Sequence, residues 1–338
     1  MVRVVVVGLG TMGAVHARSF AKMENADLIG VVDINESRAD SFAKELDTVG
    51  FYSFADAKQA LGERIDVVSI CLPTDLHPSS VKEAANIGAD VICEKPLART
   101  TKAAEEIVRY CKKKGARLFV GHVVRFFPEY RKAKEVVEAG RIGDVGVVRT
   151  TRGGSFPKAS ENWYADYDRS GGVVLDLLVH DFDFLRWTFG EVERIYAKNI
   201  GGVAGINEQA KEYALVSIRF KSGVIAHLEG SWAHKQFRTS FEFAGRDGIL
   251  AYDSQSAQPL IAEKSDAGKA GGVAVPESPL KQSPYEQELR HFIACIEKNE
   301  QPLVTAEDAY RAVEIAEAAL QSIKQDKPIT LPLQTVLS

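Results

Sequence analysis

Val2-Arg3-Val4-Val5-Val6-Val7 runs directly into Gly8-Leu9-Gly10-Thr11-Met12-Gly13. The valine run reads as a strand buried on both faces, and helical spacing of apolar residues takes over at once across 12–23. Each glycine between them has a physical use. Gly8 permits the tight turn, Gly10 lets the backbone approach a pyrophosphate, and Gly13 lets the helix pack close to the sheet. The helix N-terminus, with Thr11 and Met12 in its first turn, then faces phosphate charge. A glycine turn with an unrelated surface acid is the plain alternative, and the pattern alone is weak. Its setting strengthens it, because Asp33 ends the next strand 20 residues past Gly13, where a carboxylate accepts the hydroxyls of an adenosine ribose. That acid repels a ribose 2′-phosphate and favours NAD over NADP. Arg38 lies close enough to leave NADP as a second use.

The same alternation continues outward. Apolar runs of strand length recur at 28–32, 67–72, 91–93 and 118–121, separated by helically spaced segments at 36–46, 77–88 and 101–114. Parallel strands covered on both faces by helices read this way, as a doubly wound α/β sheet, the Rossmann arrangement. Lys112, Lys113 and Lys114 before Gly115 form a helix stop. Beyond Gly121 the rhythm changes, which places one domain at 1–121 and a second at 122–338. The second is read as a helix around 128–139, a strand at 146–151, a loop rich in Gly, Trp and Tyr at 153–172, and a long apolar helix over about 173–189. Period-two segments at 214–220, 224–232 and 239–244 predict a mostly antiparallel sheet. Residues 254–284 are dense in Ser, Gly, Ala, Pro and Lys and read as a mobile surface excursion. Ser283-Pro284-Tyr285-Glu286 and Thr305 with Asp308 are expected to open the last two helices as capping boxes. The final helix is expected to pack back towards the first domain.

Composition agrees with a two-domain protein. The chain has 338 residues, 42 Lys+Arg against 46 Asp+Glu and a formal net charge of −4, so it carries no basic footprint for nucleic acid. No apolar run approaches the roughly 20 residues that span a bilayer, and the N-terminal run is a strand rather than a signal peptide. Cys71, Cys93, Cys111 and Cys295 are scattered without a CxxC pair, against a zinc knot or disulfide framework. A cytoplasmic protein is expected.

Two further groups carry chemistry. Asp90-Val91-Ile92-Cys93-Glu94-Lys95-Pro96 ends a strand, and ligands of open parallel sheets lie beyond the carboxyl ends of their strands. Lys95 there is placed to reach the nicotinamide side of a cofactor and a substrate oxygen; a solvated surface lysine is the ordinary alternative. Leu72-Pro73-Thr74 with His77 falls on the same rim. In the apolar helix, Asp176, His180 and Asp183 fall within an arc of roughly 60° at about 100° per residue. A helix apolar nearly all round is buried, so this stripe faces a partner or a cavity. Two carboxylates flanking a histidine favour general acid/base chemistry, with a metal site as the competing use and no metal expected.

Gly8–Gly13 with Asp33, Glu94-Lys95-Pro96, and Gly171-Gly172 followed by Asp176, His180 and Asp183 together resemble the glucose–fructose oxidoreductase, inositol dehydrogenase and MocA family. The likeness spans nearly the whole chain, down to Gln301-Pro302-Leu303-Val304-Thr305. It implies a Rossmann domain and an α/β substrate domain with a large, mostly antiparallel open sheet, often used for dimer or tetramer contacts. It implies NAD-dependent oxidation of a ring hydroxyl in a sugar, sugar derivative or cyclitol, with Lys95 on the reacting hydroxyl, His180 as general base and Asp176 as its companion. Asp183 and Arg125 are implied as substrate contacts. Glu94, with Lys95, belongs to the cofactor side. Departures appear at Arg152-Gly153-Gly154, where inositol-oxidising relatives place His and Asn, and at Trp232 and His234, where a tyrosine is expected for inositol. Arg152 and Trp163 are further candidate substrate contacts, and Phe156, Trp163, Tyr164 and Tyr167 offer ring faces for a sugar. An NAD-dependent glycosidase and a non-catalytic NAD-binding regulator are the alternatives, the latter disfavoured by the buried titratable stripe.

Overall fold

The computed structural model describes residues 1–157, 160–200, 212–256, 260–264, 273–274 and 283–333. The valine run forms β1 (Val2–Val7), with Val4, Val5 and Val6 fully buried. There follow α1 (Thr11–Phe20), β2 (Ala26–Val32), α2 (Glu36–Leu46), β3 (Gly50–Phe51), α3 (Phe54–Leu61) and β4 (Val67–Ile70). Then come α4 (His77–Asn86), β5 (Asp90–Cys93), α5 (Thr101–Lys114) and β6 (Leu118–Val120). These strands form one six-stranded sheet in the order β3-β2-β1-β4-β5-β6, with every pairing parallel. The sheet reverses its strand order beside β1, and in such sheets the crevice at the reversal takes the ligand. β3 and α3 have no counterpart in the sequence reading, because a two-residue strand carries no period.

The second sheet comes from α6 (Pro128–Glu138), β7 (Val145–Ser155), a short α7 (Tyr167–Ser170), α8 (Val179–Phe189), β8 (Val192–Ile200), β9 (Tyr213–Phe220), β10 (Ile225–Ser231), β11 (Ala233–Gly245), β12 (Gly248–Asp253), β13 (Leu260–Lys264) and β14 (Val273–Ala274). After α9 (Pro284–Lys298) and α10 (Ala306–Gln325), β15 (Ile329–Thr330) completes it. The order is β14-β13-β12-β11-β7-β10-β9-β8-β15; β10 with β7 is parallel and the other pairings are antiparallel. Alternation along β9 and β10 buries Ala214, Val216, Ile218, Phe220, Ala226 and Leu228 on one face. The inner face meets an aromatic cluster in which Tyr130 of α6 sits edge-on to Phe184 of α8 at 4.8 Å and to Phe241 of β11 at 5.3 Å. On the other face Leu215, Ile225 and Ile249 are exposed.

The chain divides into two compact units, Met1–Phe126 with Lys281–Tyr310, and Phe127–Leu280 with Arg311–Ser338. The division differs from a single cut after Gly121. The 3₁₀ turn Val123–Phe126 stays with the first unit, where Phe126 packs against His291 and Phe292 of α9 at 5.5 and 6.3 Å. Leu289, Phe292, Ile293 and Cys295 of α9 join the core around Phe20, Val31 and Phe119, so the helix that returns to the first sheet is α9. Arg117, ion-paired to Asp90, also donates to the Cys295 and Ile296 carbonyls, a cation at the negative end of that helix. The Thr305/Asp308 capping box forms as expected, with bonds in both directions. At Ser283 only half of one forms, Ser283 Oγ accepting from Glu286 N–H while the Glu286 carboxylate accepts from Arg290.

Two other expectations change. The apolar segment over 173–189 is not one regular helix. Val173–Leu177 is a π turn, closed by Leu178 N–H on Val173 O, and α8 begins after it. An i→i+5 turn advances less than 100° per residue, so arithmetic at 3.6 residues per turn does not carry across from Asp176 to His180. Within 254–284, residues 260–264 and 273–274 form β13 and β14; the rest of the expected excursion lies outside the described residues, apart from 254–256 and 283–284. Among the described residues no helix is long and apolar enough to cross a membrane.

Candidate functional site

The glycine turn of the first unit is shaped by contacts that exclude side chains. A Cβ on Gly8, at φ +87°, would lie 2.6 Å from Cys71 O, and one on Gly13 would lie 1.7 Å from Gly8 O. Gly10 is the reverse case: a Cβ there meets nothing within 4 Å, and the residue caps α1 without a side-chain bond. The first helical turn follows at exposed Thr11 and half-buried Met12, where the amides have no carbonyl of an earlier turn to meet. Asp33, 6% exposed, accepts from Leu9 N–H at 2.8 Å, Asn35 N–H at 2.8 Å and Arg38 Nη1 at 3.2 Å. A carboxylate has about four acceptor positions, so one stays available while the acid pins the turn to the end of β2. The open cradle over Gly10 and the acid beside it fit a dinucleotide with a free adenosine ribose.

The rim beyond β4 and β5 is held by a histidine. His77 lies with Nδ1 2.8 Å from Pro96 O and Nε2 2.8 Å from Leu72 O, tying the Leu72-Pro73-Thr74 turn to the Lys95-Pro96 segment. Burial pushes the imidazole pKa down, against the two carbonyls that favour the charged ring. Thr74 is buried, and Leu72, Pro73 and Lys95 are half-buried. Lys95 N–H donates to Glu94 Oε2 at 3.1 Å. Arg125 is 1% exposed and donates to Leu303 O at 2.8 Å and Asp308 at 3.3 Å, so it is engaged inside this unit rather than presented on an open surface.

In the second unit, Asp176 lies in the π turn at 7% exposure, His180 is half-buried in the first turn of α8, and Asp183 is 1% exposed. The turn is seated by Glu212, whose Oε2 accepts from Val173 N–H at 2.9 Å. Gly172, at φ +65°, makes that approach possible, since a Cβ there would lie 2.7 Å from the Glu212 carboxylate. Asp181, absent from the expected stripe, is 2% exposed and pairs with Arg152, Nε to Oδ2 at 2.5 Å. Arg152 also donates to Tyr130 OH at 3.2 Å. Its place differs from that of an open substrate contact: it is 4% exposed and neutralises a buried aspartate beside His180. The sequence signal for the pair was Asp181, the first carboxylate of His180-Asp181-Phe182-Asp183, which the expected stripe left out. Glu212 had no local signal.

The ring candidates largely meet one another. Trp163 stacks on Tyr164 at 3.9 Å, and Trp232 sits edge-on to Phe156 at 5.3 Å and Tyr164 at 6.1 Å. The two departures from the inositol pattern are neighbours in space, because a Cβ on Gly153 would lie 2.2 Å from His234 Nδ1. The imidazole of His234 covers the backbone where a side chain at 153 would stand. No group of three or more His, Cys, Asp or Glu among the described residues is arranged to hold a metal ion.

Glu212 carries a pH-dependent cost. Burial first, then the Asp176 charge, against the Val173 N–H bond, push its carboxyl from 4.5 up to about 7. Below 4.5 both folded and unfolded chains hold the proton; between 4.5 and 7 only the folded chain does, so stability falls across that window and stays lowered above it. Glu212→Gln keeps an acceptor for Val173 N–H and removes the charge. It is expected to match the parent in thermal unfolding at pH 4.5 and to gain about 3 kcal/mol at pH 8. Equal curves at pH 8 would show that Glu212 is not the buried acid described.

Residues 2–122 match the oxidoreductase family with an NAD-binding Rossmann fold, and residues 130–251 match the GFO/IDH/MocA C-terminal domain. The myo-inositol 2-dehydrogenase of Thermotoga maritima is 30% identical over 97% of this chain and 98% of its own. A 1,5-anhydro-D-fructose reductase of Ensifer adhaerens is 27% identical over 89% and 90%. The crystal structure of a probable dehydrogenase from Thermotoga maritima superposes with a TM-score of 0.80 at 27% identity, covering 97% of this chain and 98% of that one.

Proposed function

The chain belongs to the Gfo/Idh/MocA family of oxidoreductases, with an NAD-binding Rossmann domain, and from that premise we propose that it is an NAD-dependent dehydrogenase oxidising a ring hydroxyl of a sugar, sugar derivative or cyclitol. The observation that carries this reading is the open dinucleotide cradle over Gly10 with Asp33 beside it in the first unit. The second unit supplies the titratable side chains, buried Asp176 and Asp183 and half-buried His180. Relatives named for an inositol and for an anhydro sugar agree with the substrate class.

When bound, NAD⁺ supplies the two-electron acceptor. The first-turn amides of α1 hold its pyrophosphate and Asp33 its adenosine ribose, while the turn at Leu72-Pro73-Thr74, held by His77, and the Glu94-Lys95 segment line the far end of the cradle. His180 takes the proton of the substrate hydroxyl. Asp176 orients the imidazole and stabilises its charged form, and the Lys95 ammonium stabilises negative charge developing on the oxygen. Asp183 accepts from a further substrate hydroxyl. Arg152 engages Asp181, so the carboxylate roles are assigned to Asp176 and Asp183 rather than to Asp181. The exposed apolar residues Leu215, Ile225 and Ile249 on the outer face of the second sheet support association of two or four copies through that face.

The test is absorbance at the NADH band with purified protein, NAD⁺ or NADP⁺, and a panel of cyclitols, aldoses, sugar acids and nucleotide sugars. Turnover with one class and a preference for NAD⁺ are expected, the latter because Asp33 repels a 2′-phosphate. Silence across the panel, with release of sugar from a nitrophenyl glycoside, would replace the dehydrogenase reading by one in which oxidation is transient.

A further inference from the structure

One buried polar group of the first unit has no place in the steps above. His16 projects from the second turn of α1 at 1% exposure, beneath the dinucleotide cradle. Its Nδ1 lies 2.8 Å from Ser69 Oγ on β4, and its Nε2 lies 3.1 Å from Glu94 Oε1 at the end of β5. The other oxygen of Glu94 accepts the Lys95 N–H at 3.1 Å. Gly121 leaves room for this carboxylate, since a Cβ there would stand 3.1 Å from Glu94 Oε1. Three strand ends and the cradle helix therefore converge on one buried histidine–carboxylate pair whose free face ends on the backbone of Lys95.

The chemistry of the pair explains why both members are needed. Glu94 is 7% exposed, and a carboxylate so placed requires a partner of opposite charge. Burial opposes the charge on both groups. At His16 the interactions with Cys71 and Glu94 outweigh it and hold the imidazole well above its ordinary value, and at Glu94 the bond from His16 holds the carboxyl below the usual range. With Nε2–H donating to the Glu94 carboxylate, Nδ1 meets the Ser69 hydroxyl, which can donate or accept, so both ring nitrogens are engaged.

We propose that His16 is a positioning residue for Lys95, acting through Glu94: it fixes the carboxylate that fixes the Lys95 backbone, and so ties the placement of the lysine to the helix that seats the dinucleotide. The inference rests on the proposed role of Lys95 for its effect on turnover, but not for its effect on the Lys95 amide.

The test reads both. In protein labelled with ¹⁵N-lysine, His16→Leu is expected to move the Lys95 amide resonance upfield and speed its hydrogen exchange by about tenfold, the loss of one charge-assisted bond. His16→Gln, whose side-chain amide still donates to Glu94, restores most of both. Phe292→Leu, a cavity in the same core, supplies the control for lost stability and leaves the Lys95 amide in place. With the panel substrate, kcat of His16→Leu falls about tenfold while the Kd for NAD⁺, measured by calorimetry, stays within about threefold. If the leucine variant does not fold, Glu94→Gln gives the same amide readout. An unmoved Lys95 amide in either variant overturns the positioning role. If Lys95→Ala turns over like the parent while the His16→Leu amide moves, positioning stands and the catalytic reading of Lys95 fails.

Discussion

His180→Ala is expected to lower kcat by about three orders of magnitude with the panel substrate, the range over which a positioned general base acts. The Kd for NAD⁺ should stay within about threefold, because the cradle is built from Gly8, Gly10, Gly13 and Asp33 of the first unit, whereas His180 belongs to the second. Lys95→Ala is expected to lower kcat comparably, through loss of charge stabilisation at the reacting oxygen. Steady-state kinetics with calorimetric NAD⁺ titration separates the two effects. Parent-like turnover in both variants would remove the proposed acid/base assignment, whatever the cofactor affinity.

Arg152→Met is the second large effect, and it falls on stability. The guanidinium is the charge partner of Asp181, and the two are 4% and 2% exposed. Removing one member of such a pair leaves a buried aspartate uncompensated at a cost of about 3–5 kcal/mol. In a unit of this size that lowers the thermal midpoint by about 10 °C. Arg152→Met combined with Asp181→Leu replaces both charges by apolar groups and is expected to recover most of the loss. A single variant that melts with the parent but raises KM would return Arg152 to the substrate-contact role that the sequence suggested.

The features legible in the chain were those set within one or two turns of backbone. A run of valines, glycines at a tight turn, an acid at the end of the following strand and serine or threonine three residues before an acid each make their structure from neighbours. The six-stranded parallel sheet, its cradle and the caps of the last two helices followed from them. Lys95 and His77 were placed on one rim for the same reason, since the ends of adjacent parallel strands share an edge.

The choice of partner for each buried charge was not local. Arg152 and Asp181 are 29 residues apart, and Glu212 and Val173 are 39 apart. Nothing in either segment says which of two neighbouring buried aspartates meets Arg152, because a packed sheet and helix decide that by distance. Arg125 reaches Leu303 and Asp308 across 178 and 183 residues, joined only because α9 comes back to the first sheet. The π turn at Val173–Leu177 escaped for another reason: an apolar segment marks burial, and a one-residue change in the hydrogen-bond ladder leaves hydrophobic composition untouched. Order of elements, cofactor cradle and family were therefore written in short-range patterns. The partners of Asp181, Glu212 and Glu94 came from long-range packing, in which a buried charge takes whichever partner the fold brings within hydrogen-bond reach.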